Sequence, residues 1–129
     1  MNNLNPPLIF YTEMEQTEYL EKYIFTDFKN INEGTDADDV QQFSEADFES
    51  LLELVEHNGI GVYNISTWLN GEAFEVAEHD DFKKKATDPK WYKKAFLTLK
   101  SRQAGLTYAA TYKVSSKLLA KYTEADSED

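Results

Sequence analysis

"GVYNISTWLNGEAFEVAEH", residues 61–79, is the stretch on which the fold reading turns. At its centre Asn70-Gly71 is a strong two-residue turn signal between two runs rich in β-branched and aromatic residues. A two-residue loop pairs Leu69 with Glu72, Thr67 with Phe74 and Ile65 with Val76. That register puts Tyr63, Ile65, Leu69, Phe74 and Val76 on one face. Asn64, Ser66, Trp68, Ala73 and Glu75 fall on the other. One apolar and one mixed face suit a half-covered antiparallel sheet. The competing reading is a helix through 66–79, which Gly71 and the Asn-Gly pair oppose.

Working outward, the hairpin sits among helical patterns. Upstream, Ser44 is an N-cap with Asp47 three residues on, and Phe43 with Phe48 fits a hydrophobic staple. Phe48, Leu51, Leu52 and Val55 then form one stripe, and Asn58-Gly59 ends the helix. Downstream, Asp88 caps a helix with Pro89 in its first position, striped by Tyr92, Ala95, Phe96 and Leu99. Near the start, Thr12 with Glu15 resembles a capping box, and Leu20, Ile24, Phe28 and Ile31 recur at helical spacing. The stretch "TEMEQTEYLEKYIFTDFKNI" (12–31) is therefore read as a helix, although "YIFTDF" within it is β-rich in composition. The stretch 32–42, "NEGTDADDVQQ", reads as a loop. From 106 onward two readings stand. One is a helix striped by Tyr108, Tyr112, Leu119 and Tyr122. The other is a strand on "LTYAATYKV" followed by a helix on "SSKLLAKY". The expected fold class is α+β, helix-rich, with about four helices packed on a small antiparallel sheet built from the hairpin.

A length of 129 residues fits a single domain spanning 1–129. The polar, proline-containing lead-in 1–7 and the acidic tail 123–129 are expected to be mobile. The chain has no cysteine, which excludes disulfides and thiolate metal ligands. The N-terminus lacks a basic region followed by an apolar run, so no signal peptide is read. No apolar stretch approaches the roughly 18 residues a membrane span needs. The expectation is a cytoplasmic protein.

Charge is distributed unevenly. Residues 1–82 hold 19 acids against Lys22 and Lys29, a formal −17. Residues 83–121 hold 11 bases against Asp88, a formal +10. The last eight residues add −4, and the whole chain carries −11. Such asymmetry implies either a charged partner or pairing of the two regions with each other.

Chemical motifs are absent at useful spacing. His57 and His79 are the only histidines and form no zinc-hydrolase pattern. Glu78, His79, Asp80 and Asp81 are consecutive, so their side chains diverge unless a loop gathers them; no metal is expected. The run from Asp36 to Asp47 places Val40 and Gln41 where a calcium loop needs an oxygen ligand and a glycine. "GIGVYN" (59–64) has Asn64 in place of a third glycine and follows a helix rather than a strand, which is the wrong context for a dinucleotide. Ser115, Ser116 and Lys117 have no nucleophile partners and read as a helix face. No cofactor and no catalytic residue are expected.

Two binding surfaces remain. The first is acidic: Glu13, Glu15, Glu18, Glu21, Asp36, Asp38, Asp39, Glu45, Glu49, Glu53 and Glu56. These could present a phosphate-like array to a basic, nucleic-acid-associated protein such as a nuclease. Small acidic inhibitors, among them DNA mimics, anti-restriction and anti-CRISPR proteins and immunity proteins, use this logic. The likeness is one of size, charge and lack of catalytic motifs. The second is basic: Lys83, Lys84, Lys85, Lys90, Trp91, Lys93, Lys94 and Arg102, where lysines could meet phosphates and Trp91 could stack on a base. Arginine is scarce there, which disfavours bidentate readout. The acidic surface is the preferred reading, in a monomer or weak dimer without enzymatic activity.

Overall fold

The computed structural model describes residues 13–32 and 40–127. Its described elements are helix α1 (Glu13–Tyr23), helix α2 (Glu45–His57), strand β1 (Gly61–Leu69) and strand β2 (Glu72–Glu78). A short 3₁₀ turn follows (His79–Phe82), then helix α3 (Pro89–Arg102), strand β3 (Leu106–Lys113) and helix α4 (Ser116–Ser127). Four helices and a three-stranded antiparallel sheet make the protein α+β, in the order β2-β1-β3. The chain groups into two compact units, Asp27–Lys113 and the paired terminal segments Met1–Thr26 and Val114–Asp129.

In the larger unit the hairpin forms where Asn70-Gly71 marks it. Both residues take positive φ, 52° and 84°, the conformation a two-residue turn between twisted strands requires. Leu69 pairs with Glu72 as expected, but the register then slips by one. Ser66 faces Val76 and Ile65 faces Ala77, with an irregularity between Ser66 and Trp68. The extra residue lies in β2, and Thr67 accommodates it. The Thr67 hydroxyl accepts from the Glu75 N–H at 3.0 Å and donates to the Glu75 carbonyl at 2.7 Å. A bulge of this kind turns every later side chain of its strand over. Val76, expected on the apolar face, is therefore 58% exposed. A second irregularity between Val62 and Asn64 leaves Tyr63 exposed, against the same expectation.

Strand β3 pairs with the other edge of β1, setting Ile65 opposite Ala110 and Thr67 opposite Tyr108. Of the two readings of the segment from 106, the strand followed by a helix is the one adopted. Phe43 and Tyr108 exchange both backbone bonds, at 2.8 and 2.9 Å, so the segment before α2 extends the sheet. Gln42 is buried there and its side-chain oxygen accepts from the Thr107 hydroxyl at 3.0 Å.

Helices α2 and α3 pack on each other, α3 against β1 and α2 against β3. The α2 stripe of Phe48, Leu51, Leu52 and Val55 is buried as expected, and the Ser44 hydroxyl caps α2 by accepting from the Asp47 N–H. Asp88 caps α3 through the Lys90 N–H at 2.9 Å, with Pro89 in the first turn. The core centres on three rings. Tyr108 stacks on Phe48 with centroids 5.2 Å apart and planes 13° from parallel. Phe96 meets Tyr108 edge-on at 5.2 Å and Phe48 at 5.8 Å. One ring each from α2, α3 and β3 thus ties the helix layer to the sheet. Gly61 lets the chain after the 3₁₀ turn approach β1. A Cβ at this position would lie 3.1 Å from the Thr87 methyl and 3.2 Å from the Ala86 carbonyl carbon.

In the smaller unit, α1 packs against α4. Tyr19, Leu20, Ile24, Val114 and Leu119 are buried, and Ser115 caps α4 by accepting from the Leu118 N–H at 3.2 Å. The helical spacing that runs on to Ile31 in the sequence does not hold as a helix. Helix α1 stops at Tyr23, where the Thr26 hydroxyl takes up the carbonyls of Glu21 and Lys22. Phe28 and Ile31 belong instead to the larger unit. There Phe28 meets Phe43 edge-on, and the Ile31 N–H donates to the Gln42 carbonyl. Thr12, read as the cap of α1, lies outside the described residues, as does the lead-in 1–7. The acidic tail begins inside α4, whose backbone continues through Ser127. No helix among the described residues is long and apolar enough to cross a membrane.

Candidate functional site

The two helices of the larger unit carry opposite charges. Helix α2, "EADFESLLELVEH", has five acids and no Lys or Arg. Helix α3, "PKWYKKAFLTLKSR", has five bases and no acid. Each buries its apolar stripe, so the charges line the outer edges of the helix pair. Lys93 forms an ion pair with Glu56, and Lys100 approaches Glu49 at 3.8 Å. These pairs run in opposite sequence order, so α2 and α3 lie antiparallel. The ammonium of Lys100 also sits 5.3 Å from the centre of the Phe96 ring. Arg102 reaches Glu75 of β2. All these side chains are partly exposed, so each pair contributes only about 0–1 kcal/mol. They fix the seam more than they stabilise it.

Between the two pairs the row of charges is interrupted. An open groove of about 170 Å³ lies there, lined by Glu49, Leu52, Glu53, Lys93, Phe96 and Leu97. Its floor is apolar, since Leu52 and Phe96 are almost wholly buried beneath it. Leu97 stands on its rim and is 55% exposed.

The structure places the sequence-derived acids unequally. Glu45, Glu49, Glu53 and Glu56 come together on α2, the last three exposed and Glu45 half-buried. Glu18 and Glu21 are exposed and Glu15 half-buried on α1, in the smaller unit. Asp36, Asp38 and Asp39 lie outside the described residues, as does the side chain of Glu13. Among the bases, Lys83, Lys84, Lys85, Lys90, Lys93, Lys94 and Arg102 are exposed. Trp91 is the correction. Expected as a surface stacker, it is 1% exposed, and its indole N–H donates to the Ala86 carbonyl at 3.3 Å. Its ring packs among Phe82, Tyr92 and His79, with centroids 5.7 to 6.3 Å away. The buried face of α3 is wider than the stripe read from the sequence, because residues 91, 92, 95, 96 and 99 all turn inward.

The Glu78–Asp81 cluster has a local structural role. The Glu78 and Asp81 side chains cap the 3₁₀ turn reciprocally, and His79 Nδ1 lies 2.7 Å from the Lys84 carbonyl. Lys83 closes the turn in the left-handed conformation, φ 56°. Among the described residues, no three His, Cys, Asp or Glu side chains group where they could hold a metal ion.

Among the described residues, buried tyrosines are the most perturbed titrating groups. Burial, reinforced by nearby Glu45, pushes the Tyr108 phenol up to about 12. Its hydroxyl is buried and has no hydrogen-bond partner among the described residues. Burial, then Glu56 and Asp88, also raises Tyr92, and burial raises Tyr112. These shifts come from core packing, not from a cluster poised for proton transfer.

The sequence reading missed Leu97 and the gap beside it. The available signal was an apolar residue on the polar side of the "KKAFLTLK" helix. By fold this is an α+β protein with an oppositely charged helix pair laid on an antiparallel sheet. No protein-family model matches the chain, and neither a curated protein nor a solved structure matches it.

Proposed function

We propose that this is a small, non-enzymatic, cytoplasmic binding protein whose acidic surface engages a basic, nucleic-acid-associated protein as an inhibitor of the DNA-mimic, anti-defence or immunity kind. The observation that carries this reading is the inward turn of the α3 aromatic rings, which leaves the basic helix no exposed ring to stack on a base. Helix α3 turns Trp91, Tyr92 and Phe96 into the core, its Lys93 and Lys100 pair with Glu56 and Glu49 of α2, and its Arg102 pairs with Glu75 of β2. Helix α2, capped by Ser44, holds Glu53 outward with no ion pair among the described residues, beside Glu49 and Glu56, which stay exposed although they pair with Lys100 and Lys93. Opposed charge on such a surface accelerates encounter with a basic partner and rejects acidic ones. The formal charge of −11 works in the same direction.

The test is affinity capture from lysate at low salt, with the native chain and an E49K/E53K variant as paired baits. The reading expects basic nucleic-acid-associated proteins on the native bait, released by salt and missing from the variant. An identical set of proteins on both baits would contradict it.

A second reading, direct nucleic-acid binding, draws on Lys83, Lys84, Lys85 and Lys90, which are exposed and form no ion pair among the described residues. It predicts a mobility shift of single-stranded DNA at low ionic strength that Lys83→Glu, Lys84→Glu and Lys90→Glu together abolish. No shift for the native chain removes it.

A further inference from the structure

The α2–α3 seam resembles a ladder with a missing rung. Glu56–Lys93 closes one end and Glu49–Lys100 the other. At the level between them an antiparallel helix would bring a base opposite Glu53, but α3 presents Phe96 and Leu97 instead. Glu53 is consequently exposed and has no cation within ion-pair distance among the described residues. Directly beside it lies the 170 Å³ groove with its apolar floor and the exposed Leu97 rim.

We propose that this gap is a docking site for a basic partner segment that inserts one apolar side chain beside Leu97 and Phe96 and pairs an adjacent Lys or Arg with Glu53. The inference rests on the acidic-surface reading above and names the part of that surface where specificity resides. Charge alone attracts many basic surfaces. An apolar slot between fixed charges selects those carrying a large apolar residue next to a cation. A single Leu or Phe side chain suits the volume, and burying it removes Leu97 from water as well. The occupant follows from the charge. A second copy of the chain would have to approach against a formal −11 on each molecule, whereas a basic segment is drawn in. On a helical partner the cation would stand three or four residues from the apolar anchor, the spacing that places two side chains on one face.

The experiment titrates the isotope-labelled full chain with a short lysine- and alanine-based helical peptide carrying one Phe with a Lys four residues on. The same peptide with Phe→Ala is the control, and amide shifts are followed by NMR at low salt. The proposal expects shifts at Leu52, Glu53, Phe96 and Leu97, and binding about tenfold or more tighter for the Phe peptide. Leu97→Asp should erase the difference between the peptides while leaving the melting temperature unchanged, and Glu53→Lys should weaken both. Equal binding of the two peptides, with shifts scattered over other acids, would overturn the docking site and leave the acidic-surface reading intact. Absence of shifts at the groove with either peptide would also overturn the docking site. Concentration-dependent sedimentation of the chain alone, lost in Leu97→Asp, would assign the groove to a second copy and overturn the proposal.

Discussion

The inner and outer sides of the α2–α3 pair are built from neighbouring residues to opposite ends. On the inner side Phe48, Phe96 and Tyr108 close ring upon ring within 5.2 to 5.8 Å. On the outer side, one residue along from Phe96, Leu97 is left half in solvent above an unfilled groove. The same antiparallel register sets both, yet stability should reside almost wholly inside and recognition outside. This division can be broken by substitutions that move one property without the other.

The largest effect is expected from Phe96→Ala. It removes the ring that links α3 to both α2 and β3 and should cost about 3–5 kcal/mol by denaturant unfolding. Leu97→Ala, its neighbour, should stay within about 0.5 kcal/mol of the native chain. Comparable losses at both positions would erase the distinction between the two sides.

Thr67→Val comes next. Thr67 is buried and its hydroxyl serves both backbone groups of Glu75 at the bulge. The isosteric change leaves a buried donor and acceptor unmet and should cost about 1–3 kcal/mol. Amide exchange measured along β2 should rise from Phe74 to Val76. Unchanged stability and exchange would show that the bulge does not depend on this residue.

The pH dependence follows from Tyr108. Its folded pKa, about 12, lies above the unfolded value of 10.0, so the folded state favours the neutral phenol. The associated stability is fully present below pH 10 and is lost as pH rises from there through the folded pKa. Each such tyrosine contributes a slope of about 1.4 kcal/mol per pH unit in that window. Tyr108→Phe keeps the stack on Phe48 and removes a hydroxyl that has no partner among the described residues. It should raise stability at neutral pH by about 1 kcal/mol and flatten the alkaline decline. A loss of stability would mean that the hydroxyl is satisfied.

The smallest effect belongs to the seam. A double-mutant cycle on Glu56 and Lys93 should return a coupling of about 0–1 kcal/mol, reduced by salt, because both side chains remain partly exposed. A coupling of several kcal/mol would make the ion pairs structural supports instead of an orienting rim.

Local chemistry made much of this architecture legible. Ser44, Asp88-Pro89 and Asn70-Gly71 each dictate an end or a turn through their own backbone preferences, and each does so here. Distant partners explain what was not legible. The bulge depends on a Thr67 hydroxyl meeting a residue eight positions away. The spacing of Leu20, Ile24, Phe28 and Ile31 mimics one helix face, but the first two serve the smaller unit and the last two the larger. Tyr108 and Tyr112 suit a strand or a helix equally until β1 supplies hydrogen bonds. The acids of α2 were visible as candidates. The missing rung at Glu53 was not, because it exists only once α3 is laid antiparallel alongside.

The account rests on α3 turning its aromatic side chains inward, and Trp91 reports on that directly. In a Trp68→Phe variant Trp91 is the sole indole, so its fluorescence can be followed through acrylamide titration with and without single-stranded oligonucleotide. The account predicts blue-shifted emission, weak quenching and no response to the oligonucleotide. Red-shifted emission that acrylamide quenches readily and the oligonucleotide alters would contradict it, and would transfer the binding role to the basic helix.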